Sequence, residues 1–159
     1  MADTDPISGA RQQFQEQIDF FRRKLNLPTK TWRDIQLAAH DRAFVVAGAM
    51  KADLLNDLRK AVGQAVEGGS FGAFRKQFDE IVAKHGWTGW TGQGSAAGEA
   101  WRTRVIYQTN LSASYAAGRW QQLNAPEFAD RPYWRYVHSD LPANPRPQHQ
   151  AWHGLVLHR

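Results

Sequence analysis

The sequence contains no cysteine. Disulfide stapling, thiolate nucleophiles and Cys-ligated zinc are therefore excluded. It also lacks any apolar run approaching the ~18 residues of a membrane-spanning helix, so no membrane partner is expected. The start, MADTDPISGARQQF, is polar and has no apolar segment behind a basic one, the mark of a secretory signal. Action in the cytoplasm of the cell that makes it is the expectation. A strong charge of one sign is missing too. Twenty Lys and Arg against 15 Asp and Glu leave +5, spread along the chain with no basic tract. That excess fits weak contact with a polyanion, but an ordinary soluble surface accounts for it better.

What is present suits a packed core. The 159 residues are 42% hydrophobic and 12% aromatic, enough for one domain or a domain with a smaller lobe. Residues 1–10 read as a flexible lead. From Arg11 to Leu25 the set Phe14, Ile18, Phe21 and Leu25 has helical spacing, closed by Pro28. Thr31 is a candidate N-cap with Asp34 three residues on. The stretch from Trp32 to Val66 carries the strongest helical pattern, with Ala47, Met50, Leu54, Leu58, Ala61 and Ala65 at steps of three and four. It reads as one long helix or as two with a break near Gly48. Glu67-Gly68-Gly69 ends it. Ser70 then caps a helix whose stripe is Phe71, Phe74, Phe78, Ile81 and Val82, with His85 by the last carbonyls and Gly86 just past the end. The helical region thus covers 11–86.

Residues 87–98, WTGWTGQGSAAG, read as a glycine-rich linker. A phosphate loop is rejected: there is no GK[ST], no G-x-G-x-x-G spacing and no preceding strand pattern. Residues 99–159 read as a helix from Glu99 to Leu123 followed by a small C-terminal β lobe. The small residues Ser112 to Gly118 of that helix would let another helix come close. YWRYVHS alternates like a strand, Tyr133, Arg135 and Val137 on one face and Trp134, Tyr136 and His138 on the other. Asp140 to Pro147 reads as an irregular turn and Gly154-Leu-Val-Leu as a last short strand. The expected fold is α+β, predominantly α: an amphipathic helical body with a small C-terminal β lobe.

The tail holds four of the six histidines. His149 and His153 are four apart, the spacing of zinc ligands on a helix, with His138 or His158 as a third candidate. The metalloprotease motif needs a glutamate between them, and HQAWH has Gln150, which cannot take up a proton. A metal-dependent nuclease or DNA-binding module using this tail is the alternative functional reading, with arginines and aromatics to meet the strand. The preferred reading is a structural knot: the histidines hydrogen-bond backbone in an aromatic lobe, and Trp134, Tyr136 and Trp152 pack on the 101–123 helix. No cofactor and no catalytic residue are expected.

One ordered set of segments points further. AHDRAFVVAGAMKADLLNDLRKAVGQAVEGGSFGAFRKQF, GWTG, TRVIYQTNLSASYAAGRW and RPYWRYVHSDLPANPRPQHQAWHGLV follow one another. Together they resemble the phage Mu F-like minor head proteins, grouped with the phage head morphogenesis proteins of the SPP1 minor head protein family. The resemblance runs from about residue 32 to the end. Its specific parts are Arg104, Ile106, Tyr107, Thr109 and Asn110 in R-x-I-Y-x-T-N, and Trp134, Tyr136, Val137, Asp140, Arg146, Pro147, His149 and Gly154 in the second block. It implies a non-enzymatic head component acting in morphogenesis, with portal and capsid or scaffold proteins as partners; some members bind DNA or act at ejection. Any DNA contact made by the +5 charge and the Arg/aromatic tail is expected to be weak and sequence-independent. The resemblance places the chain in the virion or prohead, and in the host bacterial cytoplasm during assembly. Many members continue past the H…G block into a proline- and cysteine-containing tail, which is not found here. HSDLPANPRPQH also lengthens the usual acidic turn around Asp140.

Overall fold

The computed structural model describes residues 13–31, 33–35, 37–139 and 144–158. The expected lead at 1–10 and the residues Asp140 to Ala143 lie outside that set. Within it the chain runs through six α-helices and four short strands. The fold is α+β and mostly helical, with small C-terminal strands.

Helix α1 (Gln15–Arg22) buries Gln17 and Phe21 and carries Glu16 in its first turn and Arg22 in its last, each sign at the favourable end of the dipole. It ends earlier than the apolar spacing suggests. Leu25 is 73% exposed and lies in β1 (Leu25–Asn26), not on the helix stripe. Leu27 cannot easily be helical before Pro28, and its N–H donates to the carbonyl of Phe44 at 3.1 Å. The chain is therefore already extended by Leu25, paired in parallel with β2 (Ala43–Phe44).

Thr31 caps no helix, since α2 begins only at Leu37, but its N–H and hydroxyl both donate to the Asp34 carboxylate in a local turn. The long helix over 32–66 does not form. Helix α2 (Leu37–Arg42) stops at β2, a loop follows, and helix α3 starts only at Ala52 and runs to Val66. The break near Gly48, which has φ 84°, is thus nine residues wide. The physical reason is the run Phe44-Val45-Val46. Its aromatic and β-branched side chains favour extended backbone, and Phe44 and Val46 are buried there. Ala47 and Met50, expected on the helix stripe, belong to this loop, and Met50 is exposed.

The remaining stripe residues, Leu54, Leu58, Ala61 and Ala65, do face the core, and Leu55, Val62 and Val66 are buried beside them. Helix α4 (Phe71–His85) returns antiparallel across this face. Ser70 accepts the Ala73 N–H at 3.1 Å, and Gly86 takes the left-handed conformation at φ 55°. Phe74 and Phe78 complete the centre of the core.

Residues 87–94 form no helix or strand, yet they are fastened down. Trp87 and Trp90 are 8% and 6% exposed and both sit edge-on to Phe78. The Trp87 indole donates to the carbonyl of Gly48 at 3.2 Å, tying this segment to the other loop. Ser95 caps helix α5 (Ala96–Leu123) by accepting the Gly98 N–H, so α5 begins three residues before Glu99. Helix α1 lies on the small-residue face of α5. Ser114 is fully buried, and a Cβ at Gly118 would come within 2.7 Å of the Gln17 nitrogen. The run of small residues does admit a close helix, as its composition suggests.

Candidate functional site

A 3-10 turn (Pro126–Phe128) carries the chain from α5 to β3 (Tyr133–Arg135), which pairs antiparallel with β4 (Val156–His158). Burial alternates along 131–138 as the sequence pattern requires, with Trp134, Tyr136 and His138 half-buried and Tyr133, Arg135 and Val137 exposed. Helix α6 (Pro147–Ala151) opens with proline at its first position, and the Arg146 carbonyl accepts the N–H groups of His149 and Gln150. Gly154 has φ 86°, a backbone state that suits glycine. It donates to the Tyr136 carbonyl at 2.9 Å while Tyr136 donates to Leu155 at 2.8 Å. These bonds set the turn into β4.

Three rings fill this turn. His149 stacks on Trp152 with centroids 5.5 Å apart, and Tyr136 stands edge-on to both. The Tyr136 hydroxyl lies 3.1 Å from His149 Nδ1. The knot therefore exists, but its attachment differs from expectation. Trp134 meets Trp120 of α5 edge-on at 5.1 Å, whereas Tyr136 and Trp152 pack on each other inside the lobe. A helix face already occupied along its small residues by α1 leaves the lobe only the far end of α5.

The two i, i+4 histidines are not equivalent. His153 lies just past α6, and its Nδ1 accepts the backbone N–H of His138 at 3.2 Å. A backbone N–H can only donate, so in this arrangement the Nδ1 lone pair of His153 is taken up by the chain itself. His149 faces a hydroxyl, which donates or accepts, so its Nε2 is unconstrained. The two rings are turned to different partners, His149 to the Tyr136 hydroxyl and His153 to the His138 backbone. Among the described residues no three His, Asp or Glu side chains form a metal-binding group. His158 sits edge-on to Tyr133 across the strand pair.

The first family block serves the body. Tyr107 is buried, donates its hydroxyl to the Gly69 carbonyl at 3.3 Å and stands against Phe71 and Phe74. Arg104 lies over the Phe71 ring at 5.8 Å. Asn110 donates to the Ile106 carbonyl within α5, and Thr109 is exposed. The second block builds the lobe: Arg146, His149 and Gly154 each hold a turn, and Asp140 lies outside the described residues.

Sequence reasoning missed three polar anchors. His85 does more than sit by the last carbonyls of α4. Its Nε2 is 2.9 Å from Asp57 Oδ2, which also receives Lys84 Nζ at 2.7 Å. Those hydrogen bonds, the lysine's first, draw the Asp57 carboxyl down to about 2. The i, i+4 pair Asp53 and Asp57 facing the end of an antiparallel partner helix was the available signal. Arg102 is buried and donates to the Ala47 carbonyl, and burial lowers its pKa. Lys24, also buried, donates to the His40 carbonyl at 2.8 Å and is likewise lowered by desolvation.

The lobe surface is apolar and cationic. Tyr133, Val156 and Leu157 are 65%, 62% and 53% exposed, beside the exposed Arg135 and Arg146. Between lobe and body, Glu16, Arg119, Phe128, Arg131 and Trp134 line an open cleft.

Sequence comparison gives these features a context. No protein-family profile matches the chain, and no solved structure does. Two curated proteins match most of it. "Putative capsid assembly protein F" of Escherichia phage Mu is 34% identical over 96% of this chain and 36% of its own length. The Mu-like prophage FluMu F protein of Haemophilus influenzae is 33% identical over 80% of this chain and 32% of its own length. The chain spans about a third of the length of these relatives. At 33–34% identity over 80–96% of its length to these two, the chain belongs with the Mu F-like proteins.

Proposed function

We propose that the chain is a minor structural component of a phage or prophage head, acting in head morphogenesis through contacts with portal, capsid or scaffold proteins. The observation that carries this reading is the 34% identity, over 96% of the chain, to a phage Mu protein named for capsid assembly. The exposed aliphatic residues of β4 support contact with protein surfaces. DNA contact is secondary, sequence-independent and salt-sensitive, resting on the exposed arginines. The work done is binding and not catalysis, a reading supported by the capsid-assembly name of the phage Mu relative and by a body whose polar groups serve packing. The site of action is the prohead or virion, reached from the host cytoplasm.

The test is co-sedimentation of the tagged protein with particles from an induced lysogen. Recovery with proheads or mature heads, together with portal protein, is the expected result. Absence from both kinds of particle overturns the reading. Nicking of plasmid by the pure protein with Mg²⁺, Mn²⁺ or Zn²⁺ would put a nuclease in its place.

A further inference from the structure

We propose that the open edge of β4 takes up an extended, acidic, aliphatic segment of a partner protein as a third strand. Among the described residues the sheet consists of β3 and β4 alone, each three residues long. A two-stranded sheet of this size is marginal in water and gains from a further strand. Among the described residues β4 has a strand neighbour on one side only, and all three of its residues are exposed. Isolated edges are normally blunted by lysine, proline or a bulge. Apart from the shortness of the strand, Val156-Leu157-His158 carries none of these. An unguarded aliphatic edge is what strand addition requires.

Charge names the partner's chemistry. The pairing sets Tyr133 opposite His158 and Arg135 opposite Val156 on one face, with Trp134 and Leu157 on the other, where Trp134 meets Trp120. The free face is thus apolar and cationic. The described residues from 131 to 158 include Arg131, Arg135 and Arg146 and no Asp or Glu. Arg135 and Arg146 have no ion pair among the described residues. An incoming strand with acids on that face complements them, and β-branched residues cover Val156. Nucleic acid fits less well. Stacking on bases needs free ring faces, and Trp134, Tyr136, Trp152 and His149 are engaged with one another or with Trp120. What is left exposed on β4 is mainly aliphatic.

The inference rests on the assembly reading for the partner's origin, but its chemistry is tested on the chain alone. A labelled peptide of alternating valine and glutamate is titrated against the full chain, beside a valine–lysine peptide and a short duplex DNA. The acidic peptide should bind about tenfold or more tightly than its lysine counterpart, with amide shifts confined to 133–137 and 154–158. Val156→Lys, a charge placed on the edge, should weaken binding by about tenfold while the melting temperature of the body stays unchanged. Arg135→Glu, which leaves β4 intact, should remove the preference for acid over lysine even if Val156→Lys disturbs the hairpin. Equal affinity for the two peptides, tighter binding of DNA than of the acidic peptide, or shifts located on the helical body would overturn the proposal. Since no particle enters this titration, a negative result leaves particle association standing. Absence from particles would likewise leave the chemistry of the edge standing.

Discussion

The helical body and the C-terminal lobe use the same residue types to opposite ends. In the body, Leu54, Leu55, Leu58, Phe74 and Phe78 meet one another at almost no exposure, across helices long enough to bury a full face. In the lobe, Tyr133, Val137, Leu155, Val156 and Leu157 point largely to water, and order comes from backbone bonds, two histidine contacts and stacked rings. The body's stability is volumetric and the lobe's is geometric. A surface held this way keeps its shape while leaving its apolar area for something else to cover.

This contrast can be broken by substitution. The largest effect should come from the centre of the body: Phe78→Ala removes a ring that touches Phe74, Trp87 and Trp90, and should cost about 3–5 kcal/mol in urea unfolding. A loss under about 1 kcal/mol would mean the body is not close-packed. Next is Gly118→Ala, where the new methyl meets the Gln17 backbone. It should cost about 1–3 kcal/mol through displacement of α1, and a neutral result would show that α1 sits off α5 in solution. Ser70→Ala deletes the cap of α4 and should cost about 1 kcal/mol.

Acid sharpens the body's side of the comparison. The folded Asp57 carboxyl is held near 2, whereas an unfolded aspartate titrates at about 3.9. Its stabilising contribution is therefore complete above pH ~4 and is lost as pH falls toward 2. Asp57→Asn should flatten the fall in melting temperature over that window, and an unchanged slope would show the Lys84–His85 contacts do not persist. The smallest effect on global stability should come from the lobe. His153→Ala should move the melting temperature by no more than a surface change, about 0.5 kcal/mol, yet speed amide exchange at His138. A melting temperature that drops on adding EDTA, and no longer does so in His153→Ala, would reveal a metal in place of the hydrogen bond.

Local signals carried most of the body. Ser70 and Gly86 mark their helix ends by chemistry that acts within four residues, and the alternation of Trp134, Tyr136 and His138 needs only a strand. The segment 43–51 was not legible, because AFVVAGAM satisfies both a helical stripe and a strand. Only pairing with Leu25–Asn26, 18 residues earlier in register, decides between them. The same distance problem hid Asp57 from His85. In the lobe, the spacing of His149 and His153 was readable, but the partner of His153 Nδ1 is an N–H fifteen residues away. Glycine-rich composition concealed the anchoring role of Trp87 and Trp90, since a linker and a fastened loop share that composition.

Those two indoles also give the molecule an optical signature. Trp87 and Trp90 lie 5.9 Å apart with their planes inclined at 37°, near enough for their transitions to couple and produce a paired band in the ultraviolet dichroism spectrum. Trp101 and Trp120, half-exposed on α5, emit from a wetter and more quenchable setting. The dichroic couplet therefore reports docking of the 87–94 loop on the core, while quenching of the red-shifted emission reports the outer face of α5 together with Trp152 of the lobe, and whatever comes to cover them.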